Sequence, residues 1–191
     1  MKTIAVTGGI GSGKSVVTRI FHTLGFPTYD SDKAVKRLYH EDAALKEALC
    51  RDFGDDIYRD GRLDTAALAA KVFDQPGQLQ HLNALAHPAV ARDFVSWCGR
   101  QHADWVVFES AILFQSLLGL SFDVTIAVTA PDDLRIRRVQ RRPGMTPELI
   151  RQRMACQLPQ QELSRLATYT VSNDGQTALL PQIQHIISQI V

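Results

Sequence analysis

A phosphate-loop motif near the amino terminus constrains this chain more than any other feature of its sequence. Residues 8–15 match the pattern G-x-x-x-x-G-K-[ST] at every position. A β-prone run over residues 3–6 precedes the motif, and apolar residues at helical spacing follow it over residues 15–24. A glycine-rich turn with an exposed lysine is the alternative, but chance produces the pattern in only about 1% of chains this long. The sequence therefore predicts a phosphate-binding loop between a strand and a helix.

Each part of the motif has a predicted role in holding nucleotide phosphates. The glycines let the backbone curl so that successive N–H groups point inward, and the helix behind them adds about half a positive charge. Lys14 is expected to be an exposed loop charge that reaches the β- and γ-phosphates, and the Ser15 hydroxyl is expected to bind Mg²⁺. The predicted ATP-binding residues of this segment are Gly9, Gly11, Ser12, Gly13, Lys14, Ser15 and Val16.

Strand-like and helical segments alternate along the rest of the chain. Short apolar runs predict strands over residues 26–29, 105–108, 124–128 and 168–171. Helices are predicted over residues 132–142, from residue 146 onward, and over residues 179–191. Between residues 33 and 102 apolar residues recur every three or four positions with no convincing strand, which predicts several helices. This order predicts an α/β protein of the P-loop NTPase type, with a parallel sheet core, a helical insertion and a short lid.

The predicted domain boundaries follow these changes of pattern. Residues 1–32, 103–134 and 158–191 are assigned to a nucleotide-binding core, residues 33–102 to a helical acceptor-binding insertion and residues 135–157 to an arginine-rich lid. The lid helix is expected to carry Arg135, Arg138 and Arg142 on one face, although such a charged face is commonly only solvated. Arginines on a closing lid can neutralise the charge that builds on a transferred phosphoryl group.

Composition excludes several other classes of protein. The 191 residues carry 21 Lys and Arg against 20 Asp and Glu, which gives a formal net charge of +1. No general basic field is therefore available to hold nucleic acid. The three cysteines lack a C-x-x-C pair, so buried free thiols in a reducing compartment are expected. No apolar run is long enough for a membrane span, and we expect a cytoplasmic monomer with neither nucleic acid nor a membrane as partner.

A phosphate loop predicts nucleotide binding but leaves the reaction open. A guanine-nucleotide switch normally carries N-K-x-D and a transporter ATPase carries L-S-G-G-Q, and the sequence has neither. A helical insertion and an arginine-rich hairpin instead suit an acceptor-binding domain and a closing lid, which favours a small-molecule kinase. A kinase of another small metabolite and a nucleotide-binding regulatory module with little turnover are the alternatives.

Several short segments, in the same order along the chain, match those of one known family. They are residues 7–15, Asp30-Ser31-Asp32, residues 83–88 (Asn-Ala-Leu-Ala-His-Pro), residues 111–114 (Ala-Ile-Leu-Phe), Arg142 with Thr146, and residues 172–175 (Ser-Asn-Asp-Gly). On these segments the chain resembles the dephospho-coenzyme A kinase family over nearly its whole length. Ala111 departs from the family pattern by replacing a proline, and Gln115 stands where the family usually has glutamate. The lid also lacks its usual acidic residue.

The resemblance implies transfer of a phosphoryl group from ATP, with Mg²⁺, to the ribose 3′-hydroxyl of dephospho-coenzyme A. It makes Asp32 the base that orients and deprotonates this hydroxyl, with Asp30 as support. It makes Arg142 the lid arginine that meets charge on the transferred group. The other implied site residues are His87 and Leu113 for the acceptor, and Arg138, Asn173 and Gly175 for ATP, the last two in a turn near the adenine.

The residues themselves leave plainer alternatives open at several of these positions. Asp30 and Asp32 share a face only if the strand continues through them, and Asp32 equally suits a helix cap. Glu109 ends an apolar strand, where a carboxylate that orders Mg²⁺ sits in phosphate-loop proteins, but a solvated strand end is the alternative. His87 before a helix is commonly a structural cap, and residues 172–175 commonly form only a turn.

Overall fold

The computed structural model describes residues 1–73, 77–116 and 118–191, with Phe73 described through its backbone alone. The described residues form two compact units. The first unit comprises Met1–Asp30, Gln101–Gln115 and Ser121–Val191. The second unit comprises Ser31–Arg100 and Ser116–Leu120.

The strands and helices follow one another in an order close to the predicted alternation. The strands in the described residues are β1 (Lys2–Thr7), β2 (Thr28–Asp30), β3 (Tyr58–Arg59), β4 (Arg62–Leu63), β5 (Trp105–Glu109), β6 (Val124–Thr129) and β7 (Tyr169–Ser172). The helices in the same residues are α1 (Lys14–Thr23), α2 (Ser31–Glu41), α3 (Ala43–Phe53), α4 (Thr65–Phe73), α5 (Gln78–Cys98), α6 (Asp132–Gln140), α7 (Pro147–Ala155), α8 (Gln160–Leu166) and α9 (Leu179–Ile190).

The first unit is built on a parallel sheet. Among the described strands, β2, β5, β1, β6 and β7 lie side by side in that order, and each neighbouring pair is parallel. Val6 of β1 and Asp30 of β2 both pair with Glu109 of β5. The carboxyl ends of these strands therefore lie at one edge of the sheet, where the phosphate loop begins. The predicted parallel-sheet fold is confirmed.

The core of this unit comes from the strands and from the helices packed on them. Every residue of β5 is buried, which is typical of a parallel strand covered on both faces. Helix α1 buries Val17 and Phe21, four residues apart on one face, and α9 buries Ile183 and Ile186. The central cluster also includes these residues of the strands: Ile4, Val6, Trp105, Val107, Val124, Ile126, Val128 and Val171.

Helix α7 begins as its sequence predicts. The Thr146 hydroxyl accepts a hydrogen bond from the Leu149 N–H, and Pro147 occupies the first turn, where a missing N–H costs nothing. The three cysteines are free thiols, but the expectation that they are buried is wrong. Cys50 and Cys98 are half-buried, and Cys156, which follows the end of α7, is exposed. Within residues 1–73, 77–116 and 118–191, no helix combines the length and the apolar character that crossing a membrane requires.

Helix α5 is the centre of the second unit and contacts α2, α3 and α4. Its buried residues include Ala86, His87 and Val90, and Asp93 forms an ion pair with Arg37 of α2. Pro88 lies inside α5, so His87 does not precede a helix, and that expectation is wrong. A proline disfavours helical backbone in the residue before it, but packing against the neighbouring helices outweighs this preference.

The second unit also contains a small hairpin that the sequence analysis missed. Strands β3 and β4 pair antiparallel through two residues each. The turn between them holds Asp60 at φ 50° and Gly61 at φ 75°, an arrangement that Asp-Gly favours. Strands this short give no alternating pattern, so periodicity alone could not detect them.

The structure decides one open point and corrects one predicted boundary. Strand β2 ends at Asp30, and α2 begins at Ser31, so the strand does not continue through both aspartates and they do not share a strand face. Helix α6 ends at Gln140 rather than at Arg142, so the prediction that Arg142 shares a helix face with Arg135 and Arg138 is wrong. A helix boundary moved by two residues changes which side chains are neighbours.

Candidate active site

The phosphate loop takes the curled backbone that its glycines predict. Gly11 has φ 79° and Gly13 has φ 96°, in the region that side chains with a Cβ rarely adopt. Gly13 precedes α1, and its carbonyl accepts hydrogen bonds from the N–H groups of Val16 at 2.9 Å and Val17 at 3.3 Å. A Cβ on Gly13 would overlap the side-chain amide of Asn173. Glycine is therefore required here by both conformation and space.

Two side chains hold the residue at the tip of the loop. The Ile10 N–H donates to Gln157 Oε1 at 2.7 Å, and Arg135 Nε donates to the Ile10 carbonyl at 3.0 Å. The Arg135 side chain is only 6% exposed and also donates to Asp132 at 2.9 Å. The alternative that the arginine face of this helix is only solvated is therefore wrong for Arg135. Because Arg135 stands four residues before the buried Val139, helix periodicity could have placed it inward.

The predicted ATP-side residues Arg138 and Asn173 lie against the same loop. Asn173 Nδ2 donates to the Ser12 carbonyl at 2.8 Å, and Asn173 Oδ1 accepts from Arg138 at 3.1 Å. Arg138 also lies 3.5 Å from the carbonyls of Gly11 and Ser12. Asn173 is 9% exposed, and its N–H donates to the Thr129 carbonyl at 2.8 Å. These two side chains therefore bind the loop's outward-facing carbonyl groups.

The turn that follows Asn173 is fixed by Asp174. The Asp174 carboxylate accepts hydrogen bonds from the N–H groups of Gln176 and Thr177, both at 2.8 Å. These bonds lower the pKa of Asp174 to about 2. Gly175 has φ 86°, as a turn of this kind requires. Residues 173–175 thus form the turn expected from their residue types, and Asn173 in addition holds the phosphate loop.

Lys14 lies closer to the protein than the sequence predicts. Its ammonium donates to the Gly8 carbonyl at 2.9 Å, and the residue is half-buried. The expectation of an exposed loop charge is therefore wrong. The curled loop brings the Gly8 carbonyl within reach of the Lys14 ammonium.

Ser15 and Glu109 form an oxygen-rich pair at the start of α1. Ser15 Oγ donates to Glu109 Oε1 at 2.9 Å, and Thr18 Oγ1 donates to Glu109 Oε2 at 2.7 Å. Glu109 is only 8% exposed, so the alternative of a solvated strand end is wrong. A hydroxyl oxygen next to a carboxylate is a donor set that suits Mg²⁺, which is commonly held by few protein oxygens together with phosphates and water. The residues present therefore fit the predicted metal.

The other predicted site residues of the first unit have few polar contacts. Arg142 is exposed, and no hydrogen bond or ion pair reaches its side chain from the part of the chain that the structure describes. Leu113 is 8% exposed, in a 3₁₀ helix over Leu113–Gln115 that follows β5. Val16 is exposed on the first turn of α1.

Two of the predicted acceptor-side residues, Asp32 and His87, belong to the second unit. Asp32 is the second residue of α2, so it lies inside the first helical turn rather than at the preceding cap position. A carboxylate at this position interacts favourably with the positive end of the helix. His87 is 8% exposed within α5, and burial lowers its pKa below the usual range, which favours the neutral imidazole.

Comparison with known proteins gives a consistent result. A family model described as dephospho-CoA kinase matches residues 2–178. A dephospho-CoA kinase from Porphyromonas gingivalis is 41% identical over 191 residues, which cover 100% of this chain and 95% of that protein. A crystal structure from Thermus thermophilus is 32% identical, with a TM-score of 0.83 over 99% of this chain and 95% of that one. A Campylobacter jejuni dephospho-CoA kinase, 22% identical, shows the same fold with a TM-score of 0.69 over 100% of this chain and 98% of that one.

Proposed function

The chain belongs to the dephospho-CoA kinase family, a family of ATP-dependent kinases, and we propose that it phosphorylates the ribose 3′-hydroxyl of dephospho-coenzyme A. The proposal rests on the Ser15–Glu109 pair next to a phosphate loop whose carbonyl groups accept hydrogen bonds from distant side chains. A loop held in this way presents its N–H groups to phosphate without having to reorganise. We therefore infer that the first unit binds the γ-phosphoryl group of ATP.

Different residues of the first unit bind different parts of MgATP in this proposal. The inward N–H groups of the loop bind phosphate oxygens, and the Lys14 ammonium reaches the β- and γ-phosphates while it keeps its bond to the Gly8 carbonyl. Ser15 would bind Mg²⁺ directly through its hydroxyl oxygen. Glu109 would orient this hydroxyl through the hydrogen bond that the carboxylate accepts from Ser15. When bound, Mg²⁺ neutralises charge on the phosphate oxygens and aligns them for transfer.

A carboxylate next to the end of β2 is proposed to take the proton of the acceptor hydroxyl. Asp32 is our choice, since it stands in the D-x-D segment on which the family resemblance rests. Asp30 is the alternative, since it pairs with Glu109 at the carboxyl edge of the sheet. In a doubly wound sheet, ligands bind at this edge. His87 and Leu113 are assigned to the acceptor by the same resemblance.

The remaining proposed role belongs to Arg142. Its exposed side chain lacks a polar partner among the described residues, so it is available to meet a phosphoryl group during transfer. The lid of residues 135–157 would then close over ATP through its outer part, because Arg135 is tied to the loop. Closure excludes water, which would otherwise accept the phosphoryl group.

The test compares Asp32→Asn with Asp30→Asn. If Asp32 is the base, phosphorylation of dephospho-coenzyme A by Asp32→Asn should fall by about 10²–10⁴ while MgATP binding changes little. Asp30→Asn should lose less activity. The reverse order would make Asp30 the base, and full activity in both variants would refute carboxylate catalysis from this segment.

A second measurement tests the acceptor. The wild-type chain should transfer phosphate from ATP to dephospho-coenzyme A and should leave an analogue without the 3′-hydroxyl unmodified. ATP consumption that does not depend on dephospho-coenzyme A would instead favour another acceptor or a regulatory role. Acid–base titration of the product would show one added phosphate group.

A further inference from the structure

The amide of Gln157 has a fixed orientation on the phosphate loop. Its Oε1 accepts the Ile10 N–H at 2.7 Å, and a backbone N–H can only donate, so the amide oxygen must face the loop. The opposite polar group of the same residue, the Ile10 carbonyl, is bound by Arg135. Ile10 is therefore held on both its N–H and its carbonyl by side chains that come from distant parts of the sequence.

The backbone that carries Gln157 is itself held by Gln115. Gln115 Nε2 donates to the Cys156 carbonyl at 3.4 Å, and Gln115 Oε1 accepts the Leu158 N–H at 3.1 Å. The two backbone groups that Gln115 binds belong to the residues immediately before and after Gln157. The Gln157 N–H also donates to the Met154 carbonyl at 3.1 Å, which closes the last turn of α7. Gln115 thus fixes the backbone on either side of Gln157.

We propose that Gln157 is a positioning residue for the phosphate loop and that Gln115 acts through it to set the affinity for MgATP. Ile10 is the third residue of the motif, so the orientation of its peptide group decides which way the neighbouring N–H groups point. Without an acceptor for its N–H, the tip of the loop has more conformations to lose when ATP binds. The proposal requires that the loop binds ATP and is independent of which hydroxyl accepts the phosphoryl group.

Three variants and one control separate this role from a general effect on structure. Gln157→Met and Gln115→Met keep the length of the side chain but remove its hydrogen bonds, and the double variant combines them. Gln184→Met is the matched control, because Gln184 is exposed on α9, outside the proposed lid, and its side chain has no hydrogen bond from the described residues. Each protein is titrated with MgATP alone, melted thermally and assayed with saturating MgATP and varied dephospho-coenzyme A.

Gln157→Met should weaken MgATP binding by about three- to tenfold, the effect of one hydrogen bond, with an unchanged KM for dephospho-coenzyme A. Gln115→Met should weaken MgATP binding less than Gln157→Met does. The double variant should bind MgATP as weakly as Gln157→Met alone, because Gln115 acts only through the Gln157 amide. Additive losses in the double variant, or a MgATP affinity of Gln157→Met equal to that of Gln184→Met, would overturn the proposal. The titration contains no acceptor, so failure of dephospho-coenzyme A phosphorylation would contradict the proposed function separately.

Discussion

Replacing Glu109 with Gln separates the charge of this residue from its hydrogen bonds. The carboxylate accepts from Ser15 at 2.9 Å and from Thr18 at 2.7 Å and is 8% exposed. Glutamine has the same shape and can bond both hydroxyls, provided that one of them turns to accept from the new amide N–H group. The substitution therefore preserves the packing around α1 while it removes one negative charge.

The expected change in stability is small because two contributions oppose each other. Loss of charge assistance in two hydrogen bonds costs about 1 kcal/mol each. Removing a nearly buried charge recovers a desolvation cost of about the same size. The free energy of unfolding should therefore change by no more than about 1 kcal/mol, which corresponds to about 2–4 °C in Tm for a chain of this length.

The expected change in turnover is much larger. In the proposed role, Glu109 orients Ser15 as a ligand of Mg²⁺ and its charge interacts with the cation. One charge pair at about 4 Å near a protein surface is worth about 4 kcal/mol. Loss of most of that energy in the transition state lowers the rate at least about a hundredfold. The assay is phosphorylation of dephospho-coenzyme A at saturating MgATP, together with thermal melting of the same preparation.

Thr18→Val is the control that isolates the structural role of Glu109. Thr18 is 6% exposed, and valine has nearly the same shape but cannot donate to Glu109. This variant should lose about 1–2 kcal/mol of stability and keep turnover within about threefold of wild type. If Glu109→Gln kept near-normal turnover, or if Thr18→Val lost as much turnover as Glu109→Gln, Glu109 would be only an anchor for α1.

Three further predictions follow from individual contacts. Arg142→Ala should leave Tm unchanged and lower turnover far more than MgATP affinity, and a large loss of affinity at normal turnover would make Arg142 a ground-state phosphate ligand. Thr7→Val should raise the unfolding free energy by about 1 kcal/mol, visible as a higher Tm, because the Thr7 hydroxyl is buried without a hydrogen-bond partner in the described structure. Asp174 has a pKa of about 2, below its value in the unfolded chain, so its contribution to stability is present above about pH 4 and lost as pH falls toward 2. Unfolding of Asp174→Asn should lack this part of the acid dependence.

The sequence was most informative where one physical pattern dominates. The phosphate loop required positive φ at Gly11 and Gly13, and the continuous apolar run of β5 required cover on both faces, so both were predictable. The hairpin of β3 and β4 was too short for any periodicity. The position of Pro88 inside α5 could not be predicted from local sequence. Packing within the second unit overrides the preference of proline against the interior of a helix.

In the candidate site, the grouping of residues was easier to predict than their contacts. The family resemblance predicted Arg138 and Asn173 as ATP-side residues, and in the structure both contact the phosphate loop. Sequence spacing could not show that they bind carbonyl groups of the loop. Gln157 gave no signal at all, because a polar residue after a helix is ordinary and its partner Ile10 lies 147 positions away in the sequence.

The contacts of Arg135, Arg138 and Asn173 share one physical cause. A phosphate loop curls so that its N–H groups point inward, and its carbonyl groups must then point outward. Buried carbonyl groups need donors, which α6 and the turn after β7 supply to Ile10 and Ser12. Proximity to a phosphate loop therefore does not by itself make a cationic side chain a phosphate ligand. In this chain Arg135 donates through its Nε to a loop carbonyl, whereas the exposed Arg142 has no polar partner among the described residues. This difference supports the proposal, made from the family resemblance, that Arg142 meets the transferred group.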